Sequence, residues 1–556
     1  MRSVGGLLAG VLLVLGGSAQ AAEYGYLHAG EGGKLACAAA PAGWQKRDFD
    51  DASWPTREVP PPVPDGGAPA DAGADSGCAG TMFLRFRFDV GPELAKLATA
   101  TLRIRYSHGF AAYLNGNEIA RRRLDPGAPA AAVANDYHGL EAERVFVPLK
   151  PGALRATGNV LAVEVHPRTA GKAPFADVEL VGADGARIVR GPYLQRLSET
   201  EVTVIFDTDL PTLGEARWGA DERYGAILTD APPQRHHTLR LTGLKPGAQY
   251  HYRVTVRATP ATAAQIDGPP ILDAVDAGDA TFHTAPEAGK PLRFVVYGDV
   301  RSGHDIHTLL NQQLIAEDPD LAILTGDLVD RGSDEGDWEK FFEVAAQLLR
   351  GLAIFPAAGN HEYARLGRGT VNFLSFFRWP LRAGEEDAGY YSFDAAGVHF
   401  VALDSNQYRS PRQLTWLDHD LAEAEKRGAR ALFVYAHEPP YSTGLHGDNQ
   451  VCIHDYVPIM ERHHVTMFFG GHDHHYERGH VGALDYVVTG GGGAELRTAR
   501  CGVPGKRPCP PHVQAFFNEH NYVLVEVLPS LMRVCAKRPD GTPLERCVEY
   551  PLKSWR

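Results

Sequence analysis

The sequence predicts a multidomain protein in which two all-β units precede an α/β sandwich, and three observations carry that expectation. The chain has 556 residues, several times an ordinary domain of about 150. As far as His283 its signals are short alternating runs bounded by Gly, Pro and Asn, the pattern of half-buried strands. From Pro291 onward, apolar runs alternate with helical stretches, which is the pattern of βαβ units. With 44% hydrophobic and 22% charged residues, the chain has material for packed cores and is neither disordered nor fibrous in composition. Its formal net charge of −13 repels polyanions, which argues against a nucleic-acid scaffold.

The N-terminus opens with Met1-Arg2, an apolar run from Leu7 to Leu15, and Ala19-Gln20-Ala21. That order has the form of a signal peptide over residues 1–21, cleaved after Ala21. The run is shorter than the roughly 20 residues that cross a bilayer, so no membrane span is expected and the mature chain is expected to be secreted or periplasmic. Export suits the seven cysteines, because an oxidising compartment lets them staple loops. Cys535 and Cys547 flank the turn Arg538-Pro539-Asp540-Gly541, Cys501 and Cys509 enclose a Gly/Pro loop, and Cys37 and Cys78 flank the first large loop. These three pairings leave Cys452 free, although spacing alone leaves other connectivities open.

The first unit, residues 23–185, contains strand signals at Phe83–Phe88, Ala100–Tyr106 and Val160–Val165, and its best hairpin turn is Asn115-Gly116. Pro60 to Gly80, rich in Pro, Gly, Ala and Asp, reads as a disordered loop within it. Asp48 to Pro55, Gly109 to Gly116 and Gly158 to His166 together resemble the galactose-binding-like jelly rolls that accompany many secreted hydrolases. That resemblance leaves open a bound carbohydrate or, the favoured reading, a packing or spacer role. In the second unit, residues 188–286, Leu244-Lys-Pro-Gly-Ala-Gln-Tyr250-His-Tyr252 has the form of the corner in fibronectin type III sandwiches, whose tyrosine hydroxyl ties back to the backbone.

The third unit, residues 291–556, carries the chemistry. The strand signals Leu292–Tyr297, Leu321–Leu324, Ala353–Phe355, Leu432–Tyr435 and Val465–Phe469 lead into Gly298-Asp299, Gly326-Asp327, Gly359-Asn360-His361-Glu362, His437 and Gly471-His472-Asp473-His474. Five strands thus deliver a metal-type ligand at their carboxyl ends, where open α/β sheets build sites. Helices are expected over Ile306–Ile315, Trp338–Leu349 and Leu414–Glu425. The donor set contains carboxylates, an amide and imidazoles but no thiolate, which suits Fe, Mn or Zn.

This order of motifs resembles the calcineurin-like metallophosphoesterases, and His472-Asp-His-His-Tyr-Glu-Arg478 with the preceding fibronectin-like unit brings it closest to the purple acid phosphatases. The resemblance implies two divalent or trivalent metal ions. Asp327 would bridge them, Asp299 and His474 would complete the first site, and Asn360, His437 and His472 the second. It further implies a phosphate-ester substrate, attacked by a metal-bridging hydroxide while His361 assists the leaving oxygen. Arg331, in Gly326-Asp-Leu-Val-Asp-Arg-Gly332, resembles a phosphate-contacting arginine of the serine/threonine phosphatases, and a solvated loop charge is the equal alternative.

Two departures matter. Many relatives have Asp-x-His in the first motif, where this chain has Asp299-Val300-Arg301, and the purple enzymes place a tyrosinate where this chain has Asp330. The purple colour is therefore not expected. His304, His307 or Asp330 could replace the missing ligand, a helix-face or loop role being favoured for each. Arg301, which cannot ligate a cation, is expected to bind phosphoryl oxygens and to leave the first metal more labile. The leading reading is an exported phosphatase of phosphate monoesters. The alternatives are a phosphodiesterase, or a secreted carbohydrate- or surface-binding protein with an inactive hydrolase unit.

Overall fold

The computed structural model describes residues 23–27, 33–37, 39–57, 78–96, 99–135, 142–150, 152–183, 186–258, 275–363, 369–377, 389–498 and 500–552. The expected signal peptide at 1–21 lies outside them, as does most of the expected loop between Pro60 and Gly80. The molecule is multidomain, with β-sheets first and an α/β unit after them.

The first β region pairs a four-stranded sheet with a six-stranded one. Leu84 and Phe86 of strand Met82–Phe88, Leu102 and Ile104 of Thr99–Tyr106, and Leu161 and Val163 of Asn159–His166 meet in one core. The alternation of the sequence therefore faces inward as expected. Leu114 pairs with Asn117 across the Asn115-Gly116 turn, and both turn residues adopt positive φ, 51° and 90°, the requirement that favours this dipeptide. Trp44, Trp54 and Phe83 pack among themselves and are buried.

In the second β region the 19-residue strand Glu201–Gly219 serves two sets of neighbours. Its first half pairs with Ile188–Gln195 and Gln234–Thr242, its second with Ala226–Thr229 and Gln249–Ala258. The expected corner forms: the Lys245 backbone N–H donates to the Tyr250 hydroxyl at 2.9 Å.

The α/β region is two sheets packed face to face. One runs Ile354–Pro356, Leu321–Leu324 and Leu292–Tyr297 in parallel, then continues antiparallel through Tyr522–Val527, Leu531–Lys537 and Val548–Pro551. The other contains Val398–Ala402, Leu432–Tyr435, Met467–Gly470 and Leu484–Thr489 in parallel, edged by antiparallel strands. Phe294 of the first sheet meets Phe400 and Phe433 of the second edge-on, each with ring centroids 5.2 Å apart, an arrangement that adds to area burial. The expected helices appear as His304–Glu317, Glu335–Gly351 and Pro411–Lys426.

Helix Glu335–Gly351 touches every unit. Its Phe342 ring packs at a tilt against Tyr193 of the second β region with centroids 5.0 Å apart, and the Tyr252 hydroxyl donates to the Arg350 carbonyl at 2.9 Å. From the first region, Arg122 pairs with Glu335 at 2.8 Å, the Arg144 N–H donates to Glu339, and Arg123 forms an ion pair with Asp334, the residue that caps the helix.

Disulfides Cys37–Cys78, Cys501–Cys509 and Cys535–Cys547 form, and Cys452 is a buried free thiol. A thiol reagent should therefore find no reactive group in the folded protein and one per chain after denaturation without reductant. A count of three, or a peptide map with other linkages, would contradict this pattern. A second prediction concerns Asp320, which receives the Arg293 N–H at 2.7 Å and whose pKa burial pushes up to about 6. A raised carboxyl stabilises the fold below its ordinary value near 4, and that contribution is lost as pH rises through 6. Asp320→Asn keeps an acceptor for Arg293 and should be more stable than wild type above pH 6, by about 1–2 kcal/mol. Denaturant midpoints at pH 4 and pH 7.5 should show the gap opening as pH rises.

Candidate metal centre

The strand ends deliver their ligands as the motif order requires. Asp299 follows strand Leu292–Tyr297, Asp327 follows Leu321–Leu324, and His437 follows Leu432–Tyr435. One ligand atom from each of Asp299, Asp327 and His437 lies within 4.8 Å of the others, and all three side chains are buried. Three non-glycine residues of the site hold positive φ: Asp299 at 58°, Asp327 at 54° and His472 at 68°. Such conformations cost roughly 1–3 kcal/mol each and persist where the surroundings enforce them. Two glycines permit the convergence. A Cβ at Gly359 would overlap Asp327 Oδ1, and one at Gly471 would overlap Asp299 Oδ2.

Hydrogen bonds behind the site set the imidazole tautomers, and hence the atoms that face inward. His437 Nδ1 lies 2.9 Å from the Thr325 carbonyl, so it carries the proton and Nε2 presents a lone pair. That Nε2 is 3.0 Å from Asn360 Oδ1, 3.0 Å from His472 Nδ1 and 3.3 Å from Asp327 Oδ1. His474 Nδ1 likewise donates to the Glu495 carbonyl at 2.6 Å, leaving Nε2 3.6 Å from Asp299 Oδ1. Acceptor atoms converging with few protons between them fit a cation, and the donor chemistry fits Fe, Mn or Zn. The fit is fuller around His437 than around His474.

Electrostatics point the same way. Burial and the neighbouring Asp327 charge push the Asp299 carboxyl well above the usual range. Burial also opposes ionisation of Asp327, but His437, His361 and Arg301 outweigh it and hold Asp327 below that range. Burial, followed by the field of His437 and His446, drives the His472 imidazole far down, and burial lowers His474 to about 4. Neutral imidazoles beside carboxylates are the state that ligates metal.

His361 stands at the edge of this cluster. Its Nδ1 donates to the Asp330 carbonyl at 2.6 Å, and its Nε2 lies 3.8 Å from Asp327 Oδ2. Glu362 lies behind the site: its Oε2 accepts the N–H groups of Asp327 at 2.9 Å and Gly359 at 2.6 Å, and its Oε1 that of Leu328 at 2.8 Å. One carboxylate thereby ties two ligand loops together.

Arg301 is turned inward. Its Nη1 meets Asp330 Oδ1 at 2.6 Å and its Nε lies 3.4 Å from Asp327 Oδ2, so the guanidinium is committed to carboxylates. Arg331 lies with Nη2 3.7 Å from Asp330 Oδ2, and its backbone N–H donates to Asp337. Of the candidate replacement ligands, Asp330 is engaged by Arg301. His307 is a core residue whose ring stacks on Phe341 at 5.8 Å, and burial lowers its pKa to about 3. His463 pairs with Asp418 and Glu425, and His480 with Asp485, as structural residues do. The Gly490 to Gly493 run packs on the first motif, with the Gly492 N–H donating to the Gly298 carbonyl at 2.9 Å.

His446 was not among the residues singled out from sequence. Its ring lies 3.9 Å from that of His472, and its N–H donates to Asp473, which also accepts from Ser442. It sits in the loop from Tyr441 to Asn449, a segment on which specificity is expected to depend but which carries no strand-end signal that would pick out His446 itself. Of residues 365–384, the structure describes 369–377, which carry the helix Gly369–Phe376.

Residues 292–476 match the calcineurin-like phosphoesterase family. The chain carries a calcineurin-like phosphoesterase domain, and its homologues include purple acid phosphatases. Purple acid phosphatase 21 of Arabidopsis thaliana is 29% identical over 252 residues, 44% of this chain and 53% of that protein. Purple acid phosphatase 18 of the same plant is 31% identical over 211 residues, 35% and 47% of the two chains. The chain thus spans about half the length of the curated relatives it matches. The solved purple acid phosphatase PPD1 from yellow lupin (Lupinus luteus) seeds shares the fold, with TM-score 0.58 at 16% identity over 84% of this chain and 92% of that one. The family implies a dinuclear metal centre.

Proposed function

We propose that the protein is an exported, dinuclear metal-dependent phosphatase acting on phosphate monoesters. The observation that carries this reading is the meeting of Asp327, Asn360, His437 and His472 around one point, with Asp299 and His474 alongside. Asp327 would be the shared ligand, Asp299 and His474 the first set, and Asn360, His437 and His472 the second. Export is supported by three disulfides and by the leader-like residues 1–21. Among the described residues no helix is long and apolar enough to cross a membrane.

The proposed units are residues 23–185, 188–286 and 291–556. The first has the packing role favoured from sequence, because its central tryptophans are buried and its Arg122 and Arg123 engage the helix beside the site.

When bound, the metal ions polarise the phosphoryl group and acidify water. The remaining work belongs to side chains. His361, with Nδ1–H held by the Asp330 carbonyl, points Nε2 toward the site. When Nε2 is protonated as well, it can give its proton to the departing alkoxide oxygen. Arg331 would contact phosphoryl oxygens at the edge of the site, since a guanidinium fork matches their geometry. His446, whose ring lies 3.9 Å from that of His472, borders the same space.

The test is metal content of the purified protein together with turnover of a chromogenic monoester and a diester. Metal with monoester preference supports the reading, diester preference assigns the alternative, and metal without turnover of either leaves the inactive-hydrolase reading. Asp327→Ala should abolish activity and lower both metals, and retention of both with near-normal turnover would contradict the shared-ligand role. Substituting Asn360 or His437 should deplete the second position alone. His361→Ala, by contrast, should keep the metals and slow turnover by about 10²–10⁴, most for poor leaving groups. Loss of metal from that variant would make His361 a ligand instead.

A further inference from the structure

We infer that the two metal positions are unequal by construction: Asp330 fixes the Arg301 guanidinium against Asp327, where a cation occupies the carboxylate edge that the first position would use, so the chain holds one ion firmly and a second weakly. The firm position is the one framed by Asp327, Asn360, His437 and His472, and the weak one lies beside Asp299 and His474. This rests on the phosphatase reading above and gives its two positions different occupancies.

The argument begins with the two oxygens of Asp327. Oδ1 faces His437 Nε2 at 3.3 Å, whereas Oδ2 faces the Arg301 Nε at 3.4 Å and His361 Nε2 at 3.8 Å. The carboxylate that would be shared therefore offers one oxygen to the second position, while the other already faces a cation. The residues that might enlarge the first ligand set are spent on one another, Arg301 Nη1 and Asp330 Oδ1 lying 2.6 Å apart. That leaves Asp299 and His474, 3.6 Å apart, as the first position's own ligands.

A guanidinium neither ligates nor deprotonates. Arg301 is held in place with a side-chain exposure of 11%, so water screens it little, and a metal ion beside it meets like-charge repulsion over a few ångströms. Its Nε makes no hydrogen bond among the described residues, which leaves that edge of the guanidinium facing Asp327 alone. The same fixed charge offsets the buried carboxylates that a second ion would otherwise neutralise.

The test uses the full chain, stripped of metal and titrated with Mn(II), followed by calorimetry and by electron paramagnetic resonance. Wild type should bind one ion, with a second at least 100-fold weaker, and should give the spectrum of isolated Mn(II) at one equivalent. Arg301→Gln, which removes the charge at similar size, should strengthen the second ion at least tenfold and leave the first unchanged. Arg301→His, which adds a ligand, should strengthen it more and bring an exchange-coupled signal at two equivalents. Two wild-type ions within tenfold of each other in affinity would overturn the inference while leaving the phosphatase reading intact, and so would variants with unchanged second-ion affinity. Binding of no ion at all would instead overturn the phosphatase reading. Should the variants fail to fold, the wild-type titration decides the question.

Discussion

Two carboxylates buried within reach of one another, Asp299 and Asp327, are the constraint that organises the catalytic unit. Neither can be ionised in a desolvated setting without compensation, and like charges so close raise the cost for both. The surroundings answer with His437 and His361 near Asp327, the His472 backbone N–H on both oxygens of Asp299, and the Arg301 guanidinium between motifs. The imbalance that remains is the electrostatic reason for a metal site here. A sandwich with apolar residues at these positions would be easier to fold and would have nothing to bind.

The backbone bears a second cost of the same arrangement. Left-handed conformations at Asp299, Asp327 and His472 turn each chain sharply just past its strand, so that the side chain doubles back over the sheet edge. Those conformations are enforced by neighbours. Glu362 collects N–H groups from two ligand loops, the Ala494 N–H donates to the Asp299 carbonyl at 2.7 Å, and the Asp299 N–H donates to the Gly326 carbonyl at 2.9 Å. Strain at the ligands is thus balanced by hydrogen bonds that the loops share and that would be lost if any one loop relaxed.

Much of this was legible in the chain because it is local. Largely apolar strands that lead into Gly-Asp or Ala-His place their ligands by strand direction alone, and Leu292–Tyr297, Leu321–Leu324 and Leu432–Tyr435 run where the apolar pattern puts them. The Tyr250 corner and the Asn115-Gly116 hairpin were readable for the same reason, since each is a short motif with its own backbone requirement. What depends on pairing across the fold was not readable. The direction of the Arg301 side chain is set by Asp330, 29 residues away. His446 is brought to His472 by an anchor to Asp473, which no periodicity announces. The dual pairing of Glu201–Gly219 likewise follows from which strands compete for its two edges.

The same distinction explains why the N-terminal β region bears on the chemistry although it contributes no ligand. Asp334 caps helix Glu335–Gly351 by accepting the Gly336 N–H at 2.9 Å, and its own N–H donates to the Arg331 carbonyl at 2.9 Å. The loop from Asp327 to Gly332 therefore ends on a residue whose carboxylate is ion-paired to Arg123 of the distant unit and almost wholly buried. A buried carboxylate that loses its cation is left with the desolvation cost and part of its hydrogen bonding. The loop carrying Asp327, Asp330 and Arg331 is consequently anchored at one end by the metal-type cluster and at the other by the interface between units. A separate β module, packed where it is, becomes part of what holds the site in register.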